Sequence, residues 1–207
     1  MIKLVLKRVI AYFIDIMLVV LAASMLASII YLNPQLKSYG RVYDEYLKVY
    51  EEHKTNKDKN TEVEEEKYNS KMAELNYELD KNNIYGTVIS IVLIISYFAI
   101  FQKYNGGQTL GKKIMKIRVE NNLSLPKYLL RTIILNNTWI NALRAILVAT
   151  VSKKTYISAS DVLTIAALLV ESAIIVMVVT RDDNRGLHDL IVGSKVNLLP
   201  EIKKGEN

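Results

Sequence analysis

The chain has 207 residues, 51% hydrophobic and 23% charged, with a formal net charge of +6, no cysteine and two histidines. The missing cysteines exclude a disulfide framework, a thiolate metal site and a cysteine nucleophile. His53 and His188 are too far apart in sequence for a zinc site built mainly from imidazoles. The apolar residues are gathered in blocks of about 18–24, the length that ~30 Å of hydrocarbon demands of a helix. This excludes an ordinary soluble enzyme, a collagen-like chain and a wholly disordered one.

The first block, Val9 to Leu32, follows Lys3, Lys7 and Arg8 and carries Asp15 inside it. The apolar core of a secretory signal peptide usually has about 7–15 residues. This run is longer, about 36 Å as a helix, and reads as an uncleaved first transmembrane helix within 1–32. Asn33-Pro34 then ends the helix or starts a turn.

Segment 33–83 is charged, with nine Lys+Arg and twelve Asp+Glu. Tyr39, Tyr43, Tyr46 and Tyr50 step by 4, 3, 4, and so do Tyr68, Met72, Leu75 and Leu79. Each set forms a heptad-like stripe, and the two are mirror images about position 59. The pattern predicts an antiparallel helical hairpin turning near Thr55–Thr61.

The second apolar block is 84–101. The loop 102–128 has six basic residues, Lys103, Lys112, Lys113, Lys116, Arg118 and Lys127, against one acid, Glu120. Residues 129–151 are apolar on one side, while Arg131, Asn137, Thr138, Asn141 and Arg144 fall within about 140° of a helical wheel. Such a segment either spans with its polar face against protein or lies in the interface as an amphipathic helix. The last block, 162–180, is interrupted only by Glu171, and 181–207 is a charged tail.

Basic residues near span ends mark the cytoplasmic side. The N-terminus, the basic loop and the tail are therefore expected inside, with 33–83 outside. An even number of crossings between 101 and 181 requires 129–151 to cross. The basic charge is thus spent on sidedness, and nucleic acid is not an expected partner.

Gly106-Gly107-Gln108-Thr109-Leu110-Gly111-Lys112-Lys113 nearly spells a P-loop, but Lys113 stands where a magnesium-binding hydroxyl belongs. A tight turn leaving the membrane, with Lys112, Lys113, Lys116 and Arg118 facing anionic lipid, suits it better. Three motifs follow one another: Arg8-x-x-x-Tyr12-x-x-Asp15; Gly107-Gln108-Thr109-Leu110-Gly111-Lys112-Lys113 running to Ile117-Arg118-Val119; and Gly186-Leu187-His188-Asp189 followed by Gly193-Ser194-Lys195-Val196. This order resembles the RDD family of bacterial membrane proteins, over about 9–32 and 84–197. The resemblance implies that Arg8, Asp15 and Asp189 are the family's arginine and two aspartates. It also implies a location in the cytoplasmic membrane and a suspected role in transport. Arg181-Asp182-Asp183 spells the family name by accident, and the 33–83 insert is longer than the family's usual connection.

A carboxylate inside a span costs ~2.5–3.5 kcal/mol unless paired or protonated. Asp15 is therefore expected to meet Arg131, Arg144 or a basic residue of the loop. Glu171 is expected to meet Asn137, Asn141 or Arg144. Asp15, Arg131, Asn137, Asn141, Arg144 and Glu171 form the candidate intramembrane polar site, either a titrating route or structural contacts. An Arg8–Asp189 or Arg8–Asp15–Asp189 cluster is the sharpest structural expectation. The expected fold is all-α: four membrane helices and an extracytoplasmic antiparallel hairpin. Two functions stay open: a transporter or transporter component for a cation or protons, and a non-transporting scaffold or partner subunit that binds through 33–83. Neither needs a cofactor, a metal or a catalytic residue. Four short helices make a thin scaffold, so the lipid bilayer and a homo-oligomer or a membrane-protein partner are the expected surroundings.

Overall fold

The computed structural model describes residues 2–56, 61–120 and 123–199. Its helices are α1 (Ile2–Ala27), α2 (Leu36–Asn56), α3 (Glu62–Asn82), α4 (Ile84–Ile95), α5 (Gln102–Tyr104), α6 (Leu110–Ile114), α7 (Leu125–Leu135), α8 (Thr138–Thr150), α9 (Lys153–Thr180) and α10 (Leu187–Val192). A π-helical turn, Ser96–Phe101, joins α4 to α5. Two three-residue strands, β1 (Ile117–Val119) and β2 (Val196–Leu198), pair antiparallel with Val119 opposite Val196. The fold is all-α apart from this ribbon, whose two strands lie in the basic loop and in the tail.

Among the described residues, three helical stretches are long and apolar enough to cross a membrane: Lys3–Ala27, Ile84–Tyr104 and Lys153–Thr180. Two begin earlier than their apolar blocks, because the helix runs on through charged residues that the block excludes. α1 takes in Lys3, Lys7 and Arg8, and α9 takes in Lys153, Lys154 and Asp161. The expected helix over 129–151 is instead a bent pair, α7 and α8, at 74°. Asn136-Asn137 is the cause. Asn137 adopts a left-handed φ of 48°, which asparagine tolerates better than most residues. A single wheel over 129–151 therefore does not describe its faces.

The described residues pack as two compact units. The first comprises those of Met1–Ala22, Val92–Thr138 and Ala167–Asn207. One of its cores gathers Ala11, Ala99, Ile117, Val119, Tyr128, Val192 and Val196. The ribbon turns its alternate residues Ile117 and Val119 inward, as strand period requires. A second core joins Val19, Ile94 and Phe98, with Tyr12 and Ile16 against them. Gly107, at φ 81°, lets the chain leave α5 and press against the ribbon; a Cβ there would lie 2.2 Å from the Val119 carbonyl oxygen.

The second unit comprises the described residues of Ala23–Ile91 and Trp139–Ala166. It contains the hairpin of α2 and α3. Lys71 pairs with Glu45 at 2.6 Å and His53 with Glu65 at 3.4 Å, which fixes the antiparallel register. Tyr39, Tyr43 and Tyr46 stack in succession along α2. Thr61 and Glu64 form a capping box that starts α3. Residues 57–60 of the expected turn lie outside the described residues. The unit's core joins Tyr77, Val148 and Tyr156, with the two tyrosine rings edge to face at 5.3 Å. The Tyr156 hydroxyl donates to Asp80.

Candidate functional site

Two carboxylates organise the first unit. Asp189 lies in α10, fully buried. Its Oδ2 accepts from Arg8 Nη2 at 2.6 Å and from the Gly186 backbone N–H at 3.3 Å. Its Oδ1 accepts from Arg131 Nε and from Ser194 Oγ, both at 2.9 Å. Burial opposes its ionisation, but Arg131, the adjoining His188 and Arg8 together hold it well below the usual carboxylate range. Arg8 also donates to the Asn184 backbone carbonyl. Asn184 closes the end of α9 in a left-handed conformation, its side chain donating to the Val178 and Arg181 carbonyls. Arg8 of α1 is thus tied to the turn after α9 and to α10 at once.

His188 sits beside Asp189, its Nε2 3.3 Å from Oδ2. Burial pushes its pKa down to about 4, with Arg131 and Arg8 contributing, against the pull of Asp189. Its Nδ1 is buried with no hydrogen-bond partner among the described residues. Arg181 and Arg185 both pair with Asp183 at the surface, so the triplet that spells the family name forms a local turn contact.

Asp15 is also fully buried but takes no part in this cluster. Its oxygens accept from the Gly111 backbone N–H at 2.7 Å, from Tyr97 Oη at 2.6 Å and from Thr109 Oγ1. The expected partner was a basic residue; the structure supplies three neutral donors, two of them at the start of α6. The near-P-loop therefore does bind an anion at the first turn of its helix, where unpaired N–H groups point, but the anion is the chain's own Asp15. Gly111 permits this, because a Cβ there would lie 2.2 Å from the Ala11 carbonyl oxygen and 2.9 Å from Asp15 Cγ.

The same close packing corrects the reading of Lys112. Lys113, Lys116 and Arg118 are exposed, but Lys112 is buried and does not face lipid. Its Nζ reaches Gln102 Oε1 and Thr109 Oγ1, each at 3.3 Å, and lies over the Phe98 ring. Burial and Arg131 push its pKa down to about 7. With Gly111 turned onto α1, the residue after it points into the protein.

The six candidates for an intramembrane polar site have different partners. Asp15 is bound as above, and Arg131 is on Asp189. Asn137 donates to Glu171 at 2.6 Å. In the second unit Arg144 donates to Thr164 at 2.6 Å, and Asn141 and Arg144 share a hollow of about 50 Å³ with Asp80. Glu171 stays exposed on α9. It lines a cavity of about 460 Å³ in the first unit, together with Arg8, Arg131 and His188. Sequence reasoning missed Tyr97 in the second apolar block, and Thr109, Asn184 and Ser194 within or beside the quoted motifs. An asparagine just before Gly-Leu-His-Asp was the available signal for a left-handed turn.

The model of the RDD family matches residues 3–193. No curated protein and no solved structure matches the chain.

Proposed function

The chain belongs to the RDD family, and from that premise we propose a multi-pass protein of the bacterial cytoplasmic membrane that acts as a transporter, or a transporter component, for a cation or protons. Both termini are cytoplasmic and the α2–α3 hairpin lies outside. Three apolar helices and one bent pair support the membrane reading, and the exposed basic residues Lys113, Lys116 and Arg118 support this sidedness.

Glu171 is the observation that carries the transport reading. It is an exposed carboxylate in an otherwise apolar stretch of α9, with Asn137 as its hydrogen-bond partner, and it lines the cavity. A carboxylate in such a helix is expensive in lipid. It needs a cation or proton to neutralise it or a second subunit to shelter it, and four short helices make a thin scaffold for transport, so we take the working form to be an oligomer or a complex. Asp15, held by three donors, serves as a structural pin. No catalytic step enters this reading.

Protein reconstituted into proteoliposomes is expected to move protons or a common monovalent cation, and Glu171→Gln to stop the flux while the protein stays folded. Glu171→Gln transporting at the wild-type rate would overturn the assignment. No flux from the wild type would leave the second reading, a scaffold or partner subunit. That reading is favoured by the exposure of Tyr43 and Tyr50 on the hairpin's tyrosine stripe.

A further inference from the structure

We infer that the cavity beside the Arg8–Asp189–Arg131 cluster binds the headgroup of an anionic phospholipid, with an acyl chain following the apolar wall outward between α1 and α9. The inference rests on the chain being a membrane protein and not on transport.

The first ground is charge. Two guanidinium groups meet one carboxylate, Asp189, in a region removed from water. A buried charge left uncompensated is costly, so the cluster is one anion short.

The second ground is hydrogen bonding. Arg131 is 2% exposed and lines the cavity, yet only its Nε is bonded. Its two terminal nitrogens make no hydrogen bond to the described residues. A guanidinium edge is shaped for two oxygens of a phosphate.

The third ground is the route in. Val9, Ile175 and Val179 line the cavity and are 59%, 63% and 54% exposed. They lie on helices apolar enough to cross a membrane. A soluble anion would lose its hydration along that wall, whereas a lipid brings a tail that matches it.

Glu171 does not supply the missing charge. Val178 packs near His188, since a Cβ on Gly186 would meet both. Glu171 lies seven residues back along α9, about 10 Å away by helical rise. The cavity volume, about 460 Å³, suits a headgroup and the upper part of one chain, because small-ligand pockets run to roughly 300–1,000 Å³.

The test uses the full chain, purified in a neutral detergent and examined by native mass spectrometry with phosphatidylglycerol, phosphatidylcholine or inorganic phosphate. Phosphatidylglycerol is expected to be retained about tenfold better than phosphatidylcholine, the ratio that a charge-assisted contact supplies. Arg131→Gln is expected to erase that preference. Val179→Trp, at an exposed position, is expected to block the opening and lower retention about tenfold while the unfolding temperature is unchanged. Equal retention of the two lipids, an unaltered preference in Arg131→Gln, or wild-type retention in Val179→Trp would each overturn the inference. So would displacement of the lipid by inorganic phosphate, which would make the ligand a soluble anion.

Discussion

Gly111→Ala tests the contact on which the first unit turns. The added Cβ would lie 2.2 Å from the Ala11 carbonyl oxygen and 2.9 Å from Asp15 Cγ. Backbone cannot rotate out of the way as a side chain can, so α6 has to move off α1. Overpacking of this kind costs about 1–3 kcal/mol. The shift also lengthens the 2.7 Å bond from the Gly111 N–H to Asp15, and losing a hydrogen bond to a charged group costs about 1.5–3 kcal/mol. Together they give about 2.5–6 kcal/mol. At about 2–4 °C per kcal/mol for a chain of this size, unfolding should come at least about 5 °C earlier. The assay is thermal unfolding in detergent, followed by circular dichroism and by the fluorescence of Trp139, the single tryptophan. Gly40→Ala is the control. It lies within α2 with nothing within 4 Å of its added Cβ, and alanine should gain about 0.5–1 kcal/mol there. If Gly111→Ala melted within a degree of the wild type, the account of the Gly-Gln-Thr-Leu-Gly segment as a cradle for Asp15 would be wrong.

Asp189→Asn leaves Arg8 and Arg131 facing each other without their carboxylate. It should cost about 3–5 kcal/mol, read as loss of folded protein on extraction, with Asp183→Asn at the surface changing little. Acid should act through His188. Its pKa falls from 6.5 to about 4 on folding, so below pH 6.5 the unfolded chain takes up a proton that the folded chain refuses. Stability contributed by the neutral ring is full above pH 6.5 and is lost down to about pH 4. His188→Gln should flatten that part of a melting-temperature profile, and an unchanged profile would count against it. Because the chain has no cysteine, Glu45→Cys with Lys71→Cys can be bridged by a short bifunctional maleimide. Efficient bridging is expected from the hairpin register, and Glu45→Cys with Lys81→Cys should fail to bridge. Leu75→Ala, at a buried position of α3, should cost about 2–5 kcal/mol, seen as faster hydrogen exchange in the hairpin.

The sequence by itself determined what depends on composition and period. Apolar blocks of span length can be satisfied only as helices in lipid, so the all-α class was legible. The mirrored stripes marked 33–83 as an antiparallel pair of helices, because heptad spacing is a local property, while Tyr43 and Tyr50 of the first stripe stay exposed. The motifs marked Arg8, Asp15 and Asp189 as residues to watch. What the sequence left open was which charge meets which, since that depends on approaches between residues distant in the chain. The two aspartates read alike, yet one sits between two arginines and the other among neutral donors. A missing Cβ at Gly111 and a left-handed turn at Asn184 decided this, and both act through sterics at contacts that form only when the helices pack. The inward turn of Lys112 has the same origin, whereas the break at Asn137 follows from that residue's own left-handed backbone. A basic loop assumes exposure, and in this chain tertiary packing decided which of its lysines turns inward.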